Sequence, residues 1–249
     1  MSKIACAITL GLLSTVAQAA PFRVVVDAGH GGSNTGAPGL NAGAFEKRVT
    51  LAVARLLAEE LRRRGFEVVM TRERDAFLTL RERVRRANAA LPDCFISLHA
   101  NASGDRARRG VETFVLARDA AEVEARRAAT RERDDVQAML AELRLLDAHR
   151  ASAQLARAVQ AELVALSGAV DRGVRQAGYD VLAGVAAPAV LVEMGFLDHP
   201  IEGAALETAA TQHRIASALA AGIAEFANDV RSPQKLVMSA PDATRRPTP

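Results

Sequence analysis

A chain of 249 residues suffices for one large α/β domain and is short for two well-packed ones. Hydrophobic residues make up 49% of it, which excludes wholesale disorder; aromatics make up 4%, with no tryptophan, which excludes an aromatic platform for single-stranded nucleic acid. Its 32 basic and 29 acidic residues are interspersed, so no basic patch points to nucleic acid, although the arginine-rich composition suits an anionic polymer.

Residues 1–19 read as an export signal. Lys3 gives a positive start, Ile4 to Val16 an apolar stretch short for a bilayer span, and Ala17-Gln18-Ala19 a small-x-small cleavage pattern. An N-terminal anchor or a buried helix is the alternative. Cleavage would send the chain to the periplasm without a stable membrane span. Of the two cysteines only Cys94 would then remain, so no disulfide within one mature chain is expected, and Cys94 reads as a buried small side chain.

Phe22 to Val26 is a β-branched run that ends in Asp27-Ala28-Gly29, a first strand entering a loop. From His30 to Gly43 five more glycines mark an exposed loop. Val49, Ala52, Val53, Leu56, Leu57 and Leu61 then recur at helical spacing until Gly65. Glu67 to Thr71 reads as a strand, Thr79 to Ala90 as a helix, Cys94 to Leu98 as a strand and Val111 to Leu116 as a fourth. A helix over Ser152–Leu166, a short strand over Gly178–Leu182, an apolar strand over Ala189–Val192 and a closing helix over Ala209–Phe226 complete the series. Strands alternating with helices predict a three-layer α/β domain over residues 20–230, with a twisted, largely parallel sheet flanked by helices. Asp119 to Arg150 stands apart as a charged, alanine-rich insertion of high helix propensity, and the four prolines after Ser232 mark 231–249 as a disordered tail.

The chemistry-bearing residues fall at strand ends. His30 follows the first strand, His99 the third, Glu193 the Ala189–Val192 strand, and Glu46 opens the first helix. Loops at the carboxyl ends of parallel strands converge on one rim, so residues distant in sequence can meet there. Two imidazoles and one carboxylate make a catalytic zinc shell with a position left for water, and a second carboxylate can carry the proton. Spacing alone leaves open that each is an ordinary loop residue. Asp27 is a candidate to orient the His30 ring from outside the shell, equally readable as a turn former. Glu46 is equally readable as an acidic residue at a helix N-terminus. His149 and His213 read as ordinary helix residues, His199 as a surface loop residue and Tyr179 as core packing.

Four segments carry a resemblance: Val24-Val25-Val26-Asp27-Ala28-Gly29-His30-Gly31-Gly32, Glu46-Lys47, Phe95-Ile96-Ser97-Leu98-His99-Ala100-Asn101 and Leu191-Val192-Glu193-Met194-Gly195-Phe196-Leu197. In this order they resemble the N-acetylmuramoyl-L-alanine amidase family of zinc enzymes, in its cell-separation branch. The resemblance spans about Phe22 to Asp229 and departs from the family's habits at Asn34-Thr35 and at Asp198-His199, neither a ligand position. It implies that His30, Glu46 and His99 hold zinc, that Glu193 is catalytic, and that the substrate is peptidoglycan, cut between N-acetylmuramic acid and L-alanine by a monomer. A binding module that kept the fold, or another zinc hydrolase acting within the stem peptide, stands as the alternative. The resemblance also implies that the 119–150 insertion covers the active site until a protein activator displaces it, with Glu122, Glu124 or Glu132 reaching the zinc. A solvated helix laced with ion pairs is the other reading of such a charge run.

Overall fold

The structure, a computed structural model, describes residues 20–232 other than 42 and 133. The expected export signal and the expected tail from 233 onward therefore lie outside the described residues. In chain order the elements are β1 (Arg23–Ala28), α1 (Glu46–Arg63), β2 (Glu67–Met70), α2 (Leu80–Ala89), β3 (Cys94–Asn101), β4 (Val111–Leu116), α3 (Arg118–Ala129), α4 (Asp135–Ser167), β5 (Asp171–Ala177), β6 (Ala189–Phe196), α5 (Pro200–Leu206) and α6 (Ala209–Arg231).

The six strands form one sheet in the order β2-β1-β3-β6-β4-β5. Strands β2, β1, β3 and β6 run parallel, β4 is antiparallel to β6, and β5 follows β4. The parallel strands are apolar on both faces because helices cover both. On one face Val24, Val26, Ile96, Leu98, Val190 and Val192 pack against α1, the second half of α4, and α6, through Leu57, Leu155, Val159, Leu163, Leu219 and Ile223. On the other, Val25, Phe95 and Leu191 meet Ala87 of α2, Ala121 of α3 and the turn that carries Leu182 and Val185. Cys94 is fully buried in the first of these cores.

The carboxyl ends of β1, β3 and β6 share one rim, here the upper rim. Reversal of β4 brings its first residues to the same rim, with Glu112 opposite Glu193, and sends Leu116 to the lower one. That reversal decides where the charged insertion goes. It is not one helix. Its first part is α3, and its second is continuous with the expected Ser152–Leu166 helix, giving the 33-residue α4. Arg118, Glu122 and Arg126 of α3 line one cavity with Glu142, Leu146 and His149 of α4, and the short connection between the helices makes them an antiparallel pair. Ser152 Oγ accepts from Ala189 N at the start of β6, which places Ser152 at the lower rim. At about 1.5 Å per residue, α4 before Ser152 is roughly 25 Å long, and α3 packs beside it and, through Ala121, on the sheet. The insertion is a helical hairpin.

One other expectation is corrected. Gly178–Leu182 is not a strand: β5 is Asp171–Ala177, and the segment after it forms a turn whose Val181 and Leu182 are buried. An outer strand with Arg172, Gly173, Arg175 and Gln176 lacks the apolar signal by which strands are found. The segment after Asp198 holds the short helix α5, started by Pro200 in its first turn and by His199, whose Nδ1 accepts from Ile201 N and Glu202 N.

Candidate active site

Three segments meet at the upper rim. His30 lies just past β1, Glu46 opens α1, and His99 is on β3, with one ligand atom from each within 4.8 Å of the others. Glu46 Oε2 lies 3.0 Å from His30 Nε2, and Glu46 Oε1 lies 2.8 Å from His99 Nδ1. The two rings stand edge to face with centroids 4.9 Å apart. Backbone N–H groups of Ala37 and Ala100 also donate to the Glu46 carboxylate, at 2.8 and 3.1 Å. Burial works to raise the Glu46 pKa, but the hydrogen bonds and charges of His30 and His99 outweigh it and hold the carboxyl well below its usual range. For His30, burial favours the neutral ring, while the hydrogen bond and charge of Glu46 lift its pKa above the ordinary value.

Glycine makes this approach possible. A Cβ on Gly29 would come within 2.5 Å of the His99 ring, and one on Gly36, where φ is +67°, within 2.5 Å of Glu46 Oε2. His30 itself sits in the left-handed region at φ 59°, which is costly for a residue with a side chain. Its carbonyl accepts 2.5 Å from Arg83, and its Nδ1 is 2.9 Å from Asn34 Oδ1.

Asp27 does not reach the His30 ring, so Asn34 takes the orienting place expected of Asp27. The fully buried Asp27 carboxylate instead accepts from Thr71 at 2.5 Å, Arg83 at 2.7 Å and Ser97 at 2.7 Å. Arg83 bridges Asp27 to the carbonyls of Ala28 and His30. Arg72 binds the carbonyls of Ala28, Gly29 and Lys47, and burial together with the Arg83 charge pushes its pKa down to about 10. Two buried arginines thus clamp the loop that presents His30. Sequence reasoning passed over both; Arg83 is one of four arginines in α2, and only its i,i+4 spacing with buried Ala87 hints that it faces inward.

Glu193 on β6 pairs in register with His99 and is 8% exposed. Its Oε2 has no hydrogen-bond partner among the described residues. Burial first, then the charges of Glu46 and Glu112, raise its pKa well above that of an ordinary carboxylate. A cleft beside the group is lined by His30, Asn34, Phe77, His99 and Val181. Tyr179 packs edge-on against Phe114, with centroids 5.2 Å apart.

The three acidic residues expected at the zinc are elsewhere. Glu122 pairs with Arg118 and Arg126, Glu124 pairs with Arg127, and Glu132 lies in the turn between α3 and α4. Among the described residues no fourth acidic or histidine side chain joins His30, Glu46 and His99 in a metal-binding group.

A family model described as N-acetylmuramoyl-L-alanine amidase matches residues 24–225. The uncharacterized protein YqiI of Bacillus subtilis (strain 168) is 31% identical over 224 residues, covering 89% of this chain and 94% of its own length. N-acetylmuramoyl-L-alanine amidase AmiA of Escherichia coli (strain K12) is 34% identical over 218 residues, covering 82% of this chain and 75% of its own length. Among solved structures, the catalytic domain of CwlV, an N-acetylmuramoyl-L-alanine amidase from Bacillus (Paenibacillus) polymyxa var. colistinus, superposes with a TM-score of 0.68 at 31% identity, covering 83% of this chain and 98% of that one. With its rim of His30, Glu46, His99 and Glu193 on a six-stranded mixed sheet, the chain belongs to the N-acetylmuramoyl-L-alanine amidase family.

Proposed function

We propose that the chain is a zinc-dependent hydrolase of peptidoglycan that cuts the amide between N-acetylmuramic acid and L-alanine of the stem peptide. In this reading it acts in the periplasm, exported by residues 1–19, in wall remodelling and daughter-cell separation. The observation that carries the reading is the meeting of His30, Glu46 and His99, from three distant segments, within 4.8 Å. Two imidazole nitrogens and one carboxylate oxygen on one side fit a catalytic zinc shell, in which a fourth position is left to water or substrate. Glycines at positions 29 and 36, where a side chain would collide with the donors, support the same reading. Among the described residues no helix is long and apolar enough to cross a membrane.

When bound, the zinc would make a water acidic and polarise the scissile carbonyl. The residues of the chain do the rest. His30, Glu46 and His99 hold the metal, and Arg83 and Asn34 fix the His30 backbone and ring. Glu193 takes a proton from the attacking water as its oxygen adds to the carbonyl carbon. It returns that proton to the alanine nitrogen as the C–N bond breaks. A buried carboxyl of raised pKa suits a group that must hold a proton between two steps.

Digestion of purified peptidoglycan, with products read by mass spectrometry, tests the reading. Stem peptides that begin with a free alanine amine are expected from the wild type, and neither from chelator-treated protein nor from Glu193→Ala. Release of peptides cut elsewhere in the stem would replace the amidase with a peptidase. No release from zinc-loaded, folded protein would leave a binding module.

A further inference from the structure

A second charged group lies beside Glu193. Because β4 is antiparallel to β6, Glu112 stands directly opposite Glu193 on the same face of the sheet. Glu112 is 4% exposed. Its Oε1 accepts from Asn101 Nδ2 at 2.9 Å, and its Oε2 lies 3.2 Å from Arg172 Nε and 3.0 Å from Arg175 Nε. One buried carboxylate therefore anchors two guanidiniums, and one positive charge is left over. Arg172 Nε donates to Glu112, while Arg175 Nε donates to the Arg172 carbonyl at 3.3 Å and pairs ionically with Glu112, so neither contact uses the terminal amino groups. Those of Arg175 have no hydrogen bond to the described residues, and its side chain is 49% exposed. The Arg172 guanidinium lies over the Phe196 ring, 5.0 Å from its centroid, which fixes its plane.

The other cations packed around the rim are taken. Arg72 and Arg83 are spent on backbone carbonyls and Asp27, and Lys47 binds Asp75 and the carbonyl of Gly32. Arg106, Arg108 and Arg109 sit exposed on the irregular loop between β3 and β4. Arg172 and Arg175, by contrast, are mounted on a strand and braced by a buried anion. A guanidinium so fixed presents a fork that matches a carboxylate, and its ordering is already complete before ligand arrives.

Building on the amidase reading, we infer that Arg175, braced with Arg172 by Glu112, binds a carboxylate of the substrate's stem peptide and so orients the peptide over the β4–β5 end of the rim. Arg175 is a substrate-binding residue in this scheme, and Glu112 and Arg172 are positioning residues. The substrate class is a muropeptide with a free carboxylate on the residue after the first alanine.

The test compares two synthetic substrates: N-acetylmuramoyl-L-alanyl-D-glutamate and its counterpart with both glutamate carboxyls amidated. The wild type is expected to favour the acid form in kcat/KM by roughly ten- to a hundredfold, the value of a charge-assisted contact. Arg175→Gln should lose that preference through KM, the acid substrate losing far more than the amidated one. Arg175→Lys should keep part of the preference, and Glu112→Gln should weaken it. Equal treatment of both substrates by the wild type, or an equal loss on both in Arg175→Gln, overturns the inference while leaving the amidase reading intact. Cleavage of neither substrate by the zinc-loaded wild type overturns both.

Discussion

The upper rim and the α3–α4 hairpin are both rich in charge, and they use it in opposite ways. At the rim, Asp27, Glu46, Arg72, Arg83, Glu112 and Glu193 are all less than a tenth exposed. All but Glu193 are tied to partners remote in sequence. On the hairpin, the ion pairs are local ones between residues three or four apart, with arginines such as Arg118 and Arg126 largely exposed. Surface pairs of that kind contribute little, about 0–1 kcal/mol each. A buried charge without a partner is expensive, and its persistence points to a task. Glu193, whose Oε2 is buried and unpaired, is the extreme case.

The largest effect expected is on Glu193. Glu193→Gln should lower kcat by about 10²–10⁴-fold, the range of a lost general base. The same change should stabilise the chelated protein. Burial raises the folded-state pKa of Glu193, so between the unfolded value, about 4, and the raised folded value the unfolded chain ionises this residue while the chelated folded chain keeps its proton. Wild-type stability then falls as pH rises between the unfolded and folded values, and the glutamine variant escapes that loss. Thermal melts of both proteins with chelator should coincide below about pH 4 and separate above it, with the variant higher. A variant that melts lower at pH 7 would mean that Glu193 has a stabilising partner, and the contrast between rim and hairpin would lose its strongest member.

Next comes the clamp behind His30. Arg83→Ala would leave Asp27 buried without its ion pair and free the carbonyls of Ala28 and His30. Breaking a buried pair in this way costs about 3–5 kcal/mol. Denaturant unfolding measures it, and a cost below about 1 kcal/mol would put Arg83 in the class of the hairpin's surface pairs. Removal of metal should follow in size. At a zinc concentration a hundredfold above Kd, binding to the native state alone adds about 2.7 kcal/mol. Chelation should therefore lower Tm, zinc should restore it, and His99→Ala should abolish the difference.

Much of this was legible in the sequence, for reasons that also mark the limit. β1, β3 and β6 are apolar runs ending in His, Glu or Asp-Ala-Gly, so both the parallel strands and their functional ends could be read. Asn34, Arg72, Arg83 and Glu112 were not, because nothing in a local pattern says which of several charged residues turns inward. Arg83 is one arginine among four in α2, and Glu112 becomes a neighbour of Glu193 only once β4 pairs antiparallel to β6. The direction of β4 also sets where the insertion begins, at the lower rim beside Ala177. A parallel β4 would have delivered α3 to the upper rim, over the histidines. Sequence carries no signal for that choice, which depends on which strand β4 lies beside.

The smallest effect expected is therefore on the hairpin, and it is the most direct test of the contrast. Arg126 and Glu142 line one cavity between the two helices, so residues 127–141 can be replaced by a short glycine-containing turn without separating α3 from α4. Ala121 and Ala125, which are buried, stay in place, as does the part of α4 that packs on the sheet. What is lost is mostly exposed surface, including Met139 at 56% and Val136 at 57%. Stability should change by no more than about 1 kcal/mol, and amidase activity on purified peptidoglycan should stay within about twofold, well under the tenfold that 1.4 kcal/mol would produce. A large gain in activity would instead mean that the hairpin holds the site closed in solution. Such a gain would restore the inhibitory role expected for Glu122, Glu124 or Glu132, whereas unchanged activity makes the charge run a solvated projection whose sequence is free of the constraints acting at the rim.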